Sequence, residues 1–182
     1  MAGANESGVV LEVPEVEPLV ARWRQRHDPA ADTGIPAHIT LLYPFIPPGD
    51  LTDGSLEDLR SIARGAMPFR FALVGVDEFP GLLWLRPEPS SAFVALMRQV
   101  WAAYPGFPAY GGRYPDPIPH LTVALVEPGE DQRTLRRELE GELAGHLPVE
   151  CAASALTILG SDAEGRWSAR HRFALGDSSS LG

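Results

Sequence analysis

Two stretches decide the fold: Pro36-Ala37-His38-Ile39-Thr40-Leu41-Leu42-Tyr43-Pro44 and, 82 residues further on, Ile118-Pro119-His120-Leu121-Thr122-Val123-Ala124-Leu125. Each predicts a short strand in which His and Thr alternate with large apolar residues. Strand side chains point to opposite faces in turn. His38 and Thr40 are therefore expected on one face, with Ile39, Leu41 and Tyr43 on the other. The second stretch sorts alike, with His120, Thr122 and Ala124 set against Leu121, Val123 and Leu125. One face of each strand belongs to a core, and the other carries an imidazole beside a hydroxyl. With five His in 182 residues, a His-x-Thr triplet arises by chance less than once per chain. Two of them, each in an apolar strand after a proline-rich loop, form a paired signal.

The flanking sequence repeats as well. Val9 to Val13 reads as a strand, and Val16, Leu19, Val20 and Trp23 fall at helical spacing within Pro14–His27. After the first motif, Ser55 with Asp58 resembles a capping box opening a helix with Leu56, Leu59, Ile62 and Ala63 on one face. Phe69–Val76 and Leu82–Arg86 read as strands around Pro80-Gly81. Ser90 or Ser91 then opens a helix carrying Phe93, Leu96, Met97, Val100, Trp101 and Tyr104. A turn-rich loop leads to the second motif, and a helix with Leu135, Leu139 and Leu143 follows. Val149–Leu159 and Arg166–Leu175 read as a final strand pair. The unit helix, motif strand, helix, strand, strand thus occurs twice, over about 14–86 and 90–175, which marks an internal duplication. The expected architecture is α+β: one bilobal domain over 1–176 with pseudo-twofold symmetry. Each lobe would be an antiparallel-type sheet with two helices, and the motif strands would line the cleft between the lobes. Residues 177–182 read as a flexible tail.

Composition narrows the function classes. Net charge is −9, and every basic residue is Arg. Such a chain is poorly suited to grip long or duplex nucleic acid, where affinity grows with the number of phosphates neutralised. The single Cys151 excludes an internal disulfide and reads as a small buried hydrophobe in a reducing compartment. Neither a signal-peptide pattern at Met1–Gly8 nor a membrane-length apolar run is present. A cytoplasmic monomer is the expectation.

Two facing imidazoles suit general acid–base catalysis, because an ordinary pKa of about 6.5 keeps both protonation states populated near neutrality. A hydroxyl beside each can donate to a non-bridging phosphoryl oxygen. Base and acid on opposite sides fit in-line displacement at phosphorus without a metal. Ala-His-Ile-Thr-Leu and Pro-His-Leu-Thr-Val resemble the paired His-hydrophobic-Ser/Thr-hydrophobic signature of the 2H phosphoesterase superfamily, and within it the 2′–5′ RNA ligase, LigT-like or cyclic phosphodiesterase branch. The resemblance spans roughly Gly8–Gly176, including Trp167…Phe173-x-Leu175. It implies cofactor-free opening or formation of 2′,3′-cyclic phosphates or 2′–5′ phosphodiesters, on small phosphodiesters, cyclic nucleotides or RNA ends. It also implies His38 and His120 as the acid–base pair, with Thr40 and Thr122 binding phosphate.

Blander readings compete. A zinc site needs three or four ligands, and no third motif-linked ligand offers itself. A non-catalytic nucleotide- or RNA-binding module on the same scaffold is the rival in function. Among the remaining histidines, His27 and His146 are expected at helix ends, and His171 on a core face with Trp167, Ala169, Phe173 and Leu175. In the loop before the second motif, Tyr110, Arg113 and Tyr114 could stack a base and pair with a phosphate, or simply anchor a surface loop. Arg166, Ser168, Arg170 and Arg172 alternate onto one face, where Arg170 could meet a ligand or solvent.

Overall fold

The computed structural model describes residues 5–176; the tail expected at 177–182 lies outside them. In chain order the elements are β1 (Ser7–Glu12), α1 (Glu17–His27), α2 (Pro29–Asp32), β2 (His38–Leu42), α3 (Asp53–Gly65), β3 (Phe69–Phe79) and β4 (Leu82–Glu88). There follow α4 (Ser91–Ala103), β5 (Leu121–Leu125), α5 (Gln132–Leu143), β6 (Val149–Ala153), β7 (Ala155–Ser161) and β8 (Trp167–Ala174). The strands form two four-stranded sheets, β2-β1-β7-β8 and β5-β4-β3-β6. Every pairing is antiparallel. The α+β class and the two-sheet plan are those expected.

The sequence copies are not the lobes. β3 and β4, both within the first copy, join the second sheet, and β7 and β8 of the second copy join the first. Val149–Leu159, read as one strand, is two: β6 pairs with β3, and after Ser154 the chain crosses to pair β7 with β1. The copies superpose in topology as β1–α1–β2–α3 and β4–α4–β5–α5. Even these interlock, since α1 packs against β5 and α4 against β2. Trp101 of α4 donates its indole N–H to the carbonyl of Leu41 at 2.7 Å.

Local chemistry accounts for the helices. α3 starts one turn earlier than expected. Thr52, not Ser55, is its cap, accepting from the Ser55 amide at 3.2 Å while the Ser55 hydroxyl accepts from the Thr52 amide at 3.0 Å. This reciprocal pair satisfies two otherwise unpartnered N–H groups. Leu59 and Ala63 then face the core, as do Phe93, Leu96, Met97 and Val100 of α4 and Leu135, Leu139 and Leu143 of α5. Cys151 is buried, and burial, with Glu15 and Glu150 nearby, pushes its thiol up to about 12. It is unreactive.

Of four β-bulges, three alter which of the expected side chains face where. Leu41 is the extra residue of β2 against β1, and Val123 that of β5 against β4, at equivalent places in the two motifs. Beyond a bulge the alternation changes phase. Ala124, expected beside His120, is therefore fully buried in the main core, and Leu41 and Leu42 are both core residues. Tyr43, expected in that core, instead joins a smaller cluster with Val10, Leu159 and Trp167. The third bulge, at Arg170 between Ala169 and His171, separates Trp167 from Phe173, which lies in the main core.

Candidate active site

The two motif strands are the edge strands of their sheets and come together, with Cα atoms within 8 Å. Partners directly opposite in an antiparallel pair share a face, so the register writes out both cleft walls. On the first sheet Thr40, Val10, Thr157 and Arg172 form one row across four strands, with Glu12 opposite His38. On the second sheet Thr122, Trp84 and Asp77 form the corresponding row.

The histidines are held alike. His38 Nδ1 lies 2.8 Å from the Pro36 carbonyl, and His120 Nδ1 lies 2.7 Å from that of Ile118. A carbonyl only accepts, so each Nδ1 carries the hydrogen and each Nε2 is left with a lone pair. Both rings are half-buried. Burial, by stripping water from the charged form, is the main cause lowering the pKa of each below its ordinary value. The carbonyl bonds oppose this. At His38, Arg24 adds to the lowering, Asp28 opposes it, and the charge on His120 lowers it further. The two imidazoles therefore sense each other. Protonating one disfavours protonating the second, which favours one acid and one base.

The supports beneath the two rings differ. Arg24 is 2% exposed and paired with buried Asp28 at 3.1 Å. It also donates to the Ile35 carbonyl at 2.9 Å, and Glu17 accepts from the Ala37 amide at 2.5 Å. Residues 35 and 37, on either side of the carbonyl that holds His38, are thus tied to an internal ion pair. A hollow of about 310 Å³ borders this loop, lined among others by Glu12, Glu17, Pro36 and Ala37. His120 is set among aromatic rings instead, with Phe79 edge-on at 5.3 Å and Trp84 at 5.9 Å, those two stacked at 5.0 Å.

Of the other expected contacts, Tyr110 reaches the site: its phenol comes beside the Thr40 side chain and its amide donates to the Tyr43 carbonyl at 2.7 Å. Tyr114 is 60% exposed and touches Tyr110 ring to ring at 5.9 Å. Arg113 is exposed on the same loop. Arg170 is not brought to the motifs; its side chain lies over Gly160, beside Pro48. Arg172 faces the cleft and pairs with Glu12 at 2.8 Å. The sequence reading passed over Glu12, Phe79, Trp84 and Arg86, the last paired with Asp77 at 3.2 Å. Trp84 and Arg86 alternate with Leu83 and Leu85 in β4, and that alternation was the available signal.

A model of the 2′–5′ RNA ligase superfamily matches residues 12–165. The chain belongs to that family of 2H phosphoesterases. A protein of Geobacillus kaustophilus (strain HTA426) named as a phosphoesterase, GK0864, is 25% identical over 138 residues, covering 73% of this chain and 76% of the relative. Among solved structures, TT0787 of Thermus thermophilus is similar with a TM-score of 0.63 and 21% identity, covering 95% of this chain and 99% of that one. LigT of E. coli complexed with NADP+ follows at 0.58 and 19%, covering 95% and 98%. These two likenesses concern the fold.

Proposed function

We propose that the protein is a metal-independent phosphodiesterase acting on 2′,3′-cyclic phosphates or 2′–5′ phosphodiesters of nucleotides or RNA ends. The observation that carries this reading is the matched pair of half-buried imidazoles. Each is pinned through Nδ1 to a carbonyl two residues back, with a Thr hydroxyl two residues on. In the opening of a cyclic phosphate, one neutral Nε2 takes a proton from water as the water oxygen bonds to phosphorus. The protonated partner gives its proton to the ribose oxygen as the P–O bond breaks. Thr40 and Thr122 donate to the non-bridging oxygens, where negative charge accumulates. The exchange is complete in protons and electrons, and the two histidines trade roles in the reverse direction.

Burial favours the neutral form of both rings, and an arriving phosphoryl anion favours the protonated form of one. Substrate binding thereby helps to prepare the acid. Structures of E. coli LigT complexed with 3′-AMP, with ATP and with phosphate support a nucleotide-sized ligand. Among the described residues no three His, Cys, Asp or Glu side chains group so as to hold a metal ion.

The test is turnover of 2′,3′-cyclic nucleotides in EDTA across pH 5–9, for wild type and His120→Ala. The expected result is a bell-shaped profile in the wild type and its loss in the variant. Because kcat/KM reports the free protein and both free pKa values are lowered, its limbs should lie at lower pH than an unperturbed pair would give. Tight nucleotide binding without turnover would replace this reading with a binding module.

A further inference from the structure

The loop between α4 and β5 holds the least comfortable backbone near the cleft. Tyr110 has φ 51° and ψ 35°, and Gly111 and Gly112 after it also have positive φ. The glycines accept this conformation freely, but a bulky aromatic does so only when its surroundings force it. One bond holds the Tyr110 backbone there, its amide donating to the Tyr43 carbonyl at 2.7 Å, and its phenol comes beside the Thr40 side chain. Both partners belong to the first motif segment, whereas the loop leads into the second.

We propose that Tyr110 is a third phosphate-binding hydroxyl of the site, delivered across the lobes to act together with Thr40. The inference rests on the proposed reading, in which Thr40 meets the phosphoryl group. Two hydroxyls carry two protons. A phosphoryl oxygen seated beside them can accept from both. Burial raises the phenol pKa, so the group remains a neutral donor across the working range of a histidine pair. The strained turn aims it, and the second lobe thereby contributes to the phosphate contacts of the first motif.

The experiment compares wild type, Tyr110→Phe and Tyr104→Phe in two assays: inorganic phosphate binding followed by phosphorus NMR, and kcat and KM for a 2′,3′-cyclic nucleotide. Tyr110→Phe keeps the ring and its packing and removes only the hydroxyl. Loss of a hydrogen bond to a charged group is expected to weaken phosphate binding and lower kcat/KM by about tenfold to a hundredfold. Part of that loss should fall on kcat, where charge on the phosphoryl oxygens is greatest. Tyr104→Phe should change both by less than about twofold, because that hydroxyl donates to the Ser55 carbonyl at 2.6 Å and is not part of the proposed contact. A Tyr110→Phe protein that binds phosphate and turns over like wild type overturns the proposal and leaves the proposed function standing. A wild type that neither binds phosphate nor turns over overturns both.

Discussion

The two motifs are copies in sequence, yet their neighbours have diverged. Opposite Thr40 stands Val10, and opposite Thr122 stands Trp84. His38 faces Glu12 across the strand pair and is steadied by the buried Arg24–Asp28 pair. His120 has Phe79 and Trp84 at its ring, with Arg86 along the same strand as Trp84. One wall is braced by ions, and the other is aromatic. The repeat supplies two equivalent His-x-Thr segments, and the flanking strands give them inequivalent surroundings. Under the proposed function, an unsymmetrical phosphodiester could therefore be held in one orientation by a nearly symmetrical scaffold.

The comparison can be broken at the histidines themselves. His38→Ala and His120→Ala should each lower kcat by about a hundredfold to ten-thousandfold, the range for loss of a general acid or base. Steady-state kinetics on both would check this, and near-normal turnover in either would show that the copies do not share the chemistry. The next effect concerns the ion-braced side alone. Arg24→Met strands Asp28 without its counter-charge, so stability should fall by about 3–5 kcal/mol, read by urea unfolding. The aromatic side has no such ionic brace, and Phe79→Leu should cost less than that.

A subtler contrast lies in titration. Removing the Phe79 ring lets water approach His120, so its pKa should rise toward the ordinary value while that of His38 stays near its own. NMR titration of the ring protons in Phe79→Leu measures this directly. Smaller still is the effect on folding. Because burial depresses both histidines in the folded state, the unfolded chain binds protons more readily as pH falls through about 6.5. Their contribution to stability is full above that value and declines below it. Unfolding midpoints at pH 7.5 and 5.5, for wild type and for the double His→Ala variant, should differ more in the wild type.

The motif strands were legible because alternation over His38–Thr40 and His120–Thr122 needs only neighbouring residues. The bulges were not. An extra residue such as Leu41 or Val123 looks locally like one more apolar strand position, and only the partner strand shows the change of phase. That is how Tyr43 and Ala124 came to be placed on the wrong faces. The helices showed their apolar stripes, but the cap of α3 lay at Thr52, three residues before the expected Ser55. Ser154 gave no sign that the chain changes sheet there, because the residues on either side of it continue a plausible strand. Tyr110 could be named from its aromatic-rich loop, whereas its approach to Thr40 depends on contact between segments about 70 residues apart in sequence.

The crossing at Ser154 also bears on how the molecule comes into being. β1 and β2 are made first, but β7, which lies against β1, and β8 beyond it are made last. During synthesis, elements fold broadly in the order they emerge, and contacts between distant segments form slowly. The wall carrying His38 therefore waits, half-built and with β1 unpaired on one side, until β7 and β8 have left the ribosome. A nascent chain shortened before Ala155 would hold both motifs and still have no finished cleft, so the proposed activity would arrive only with those strands.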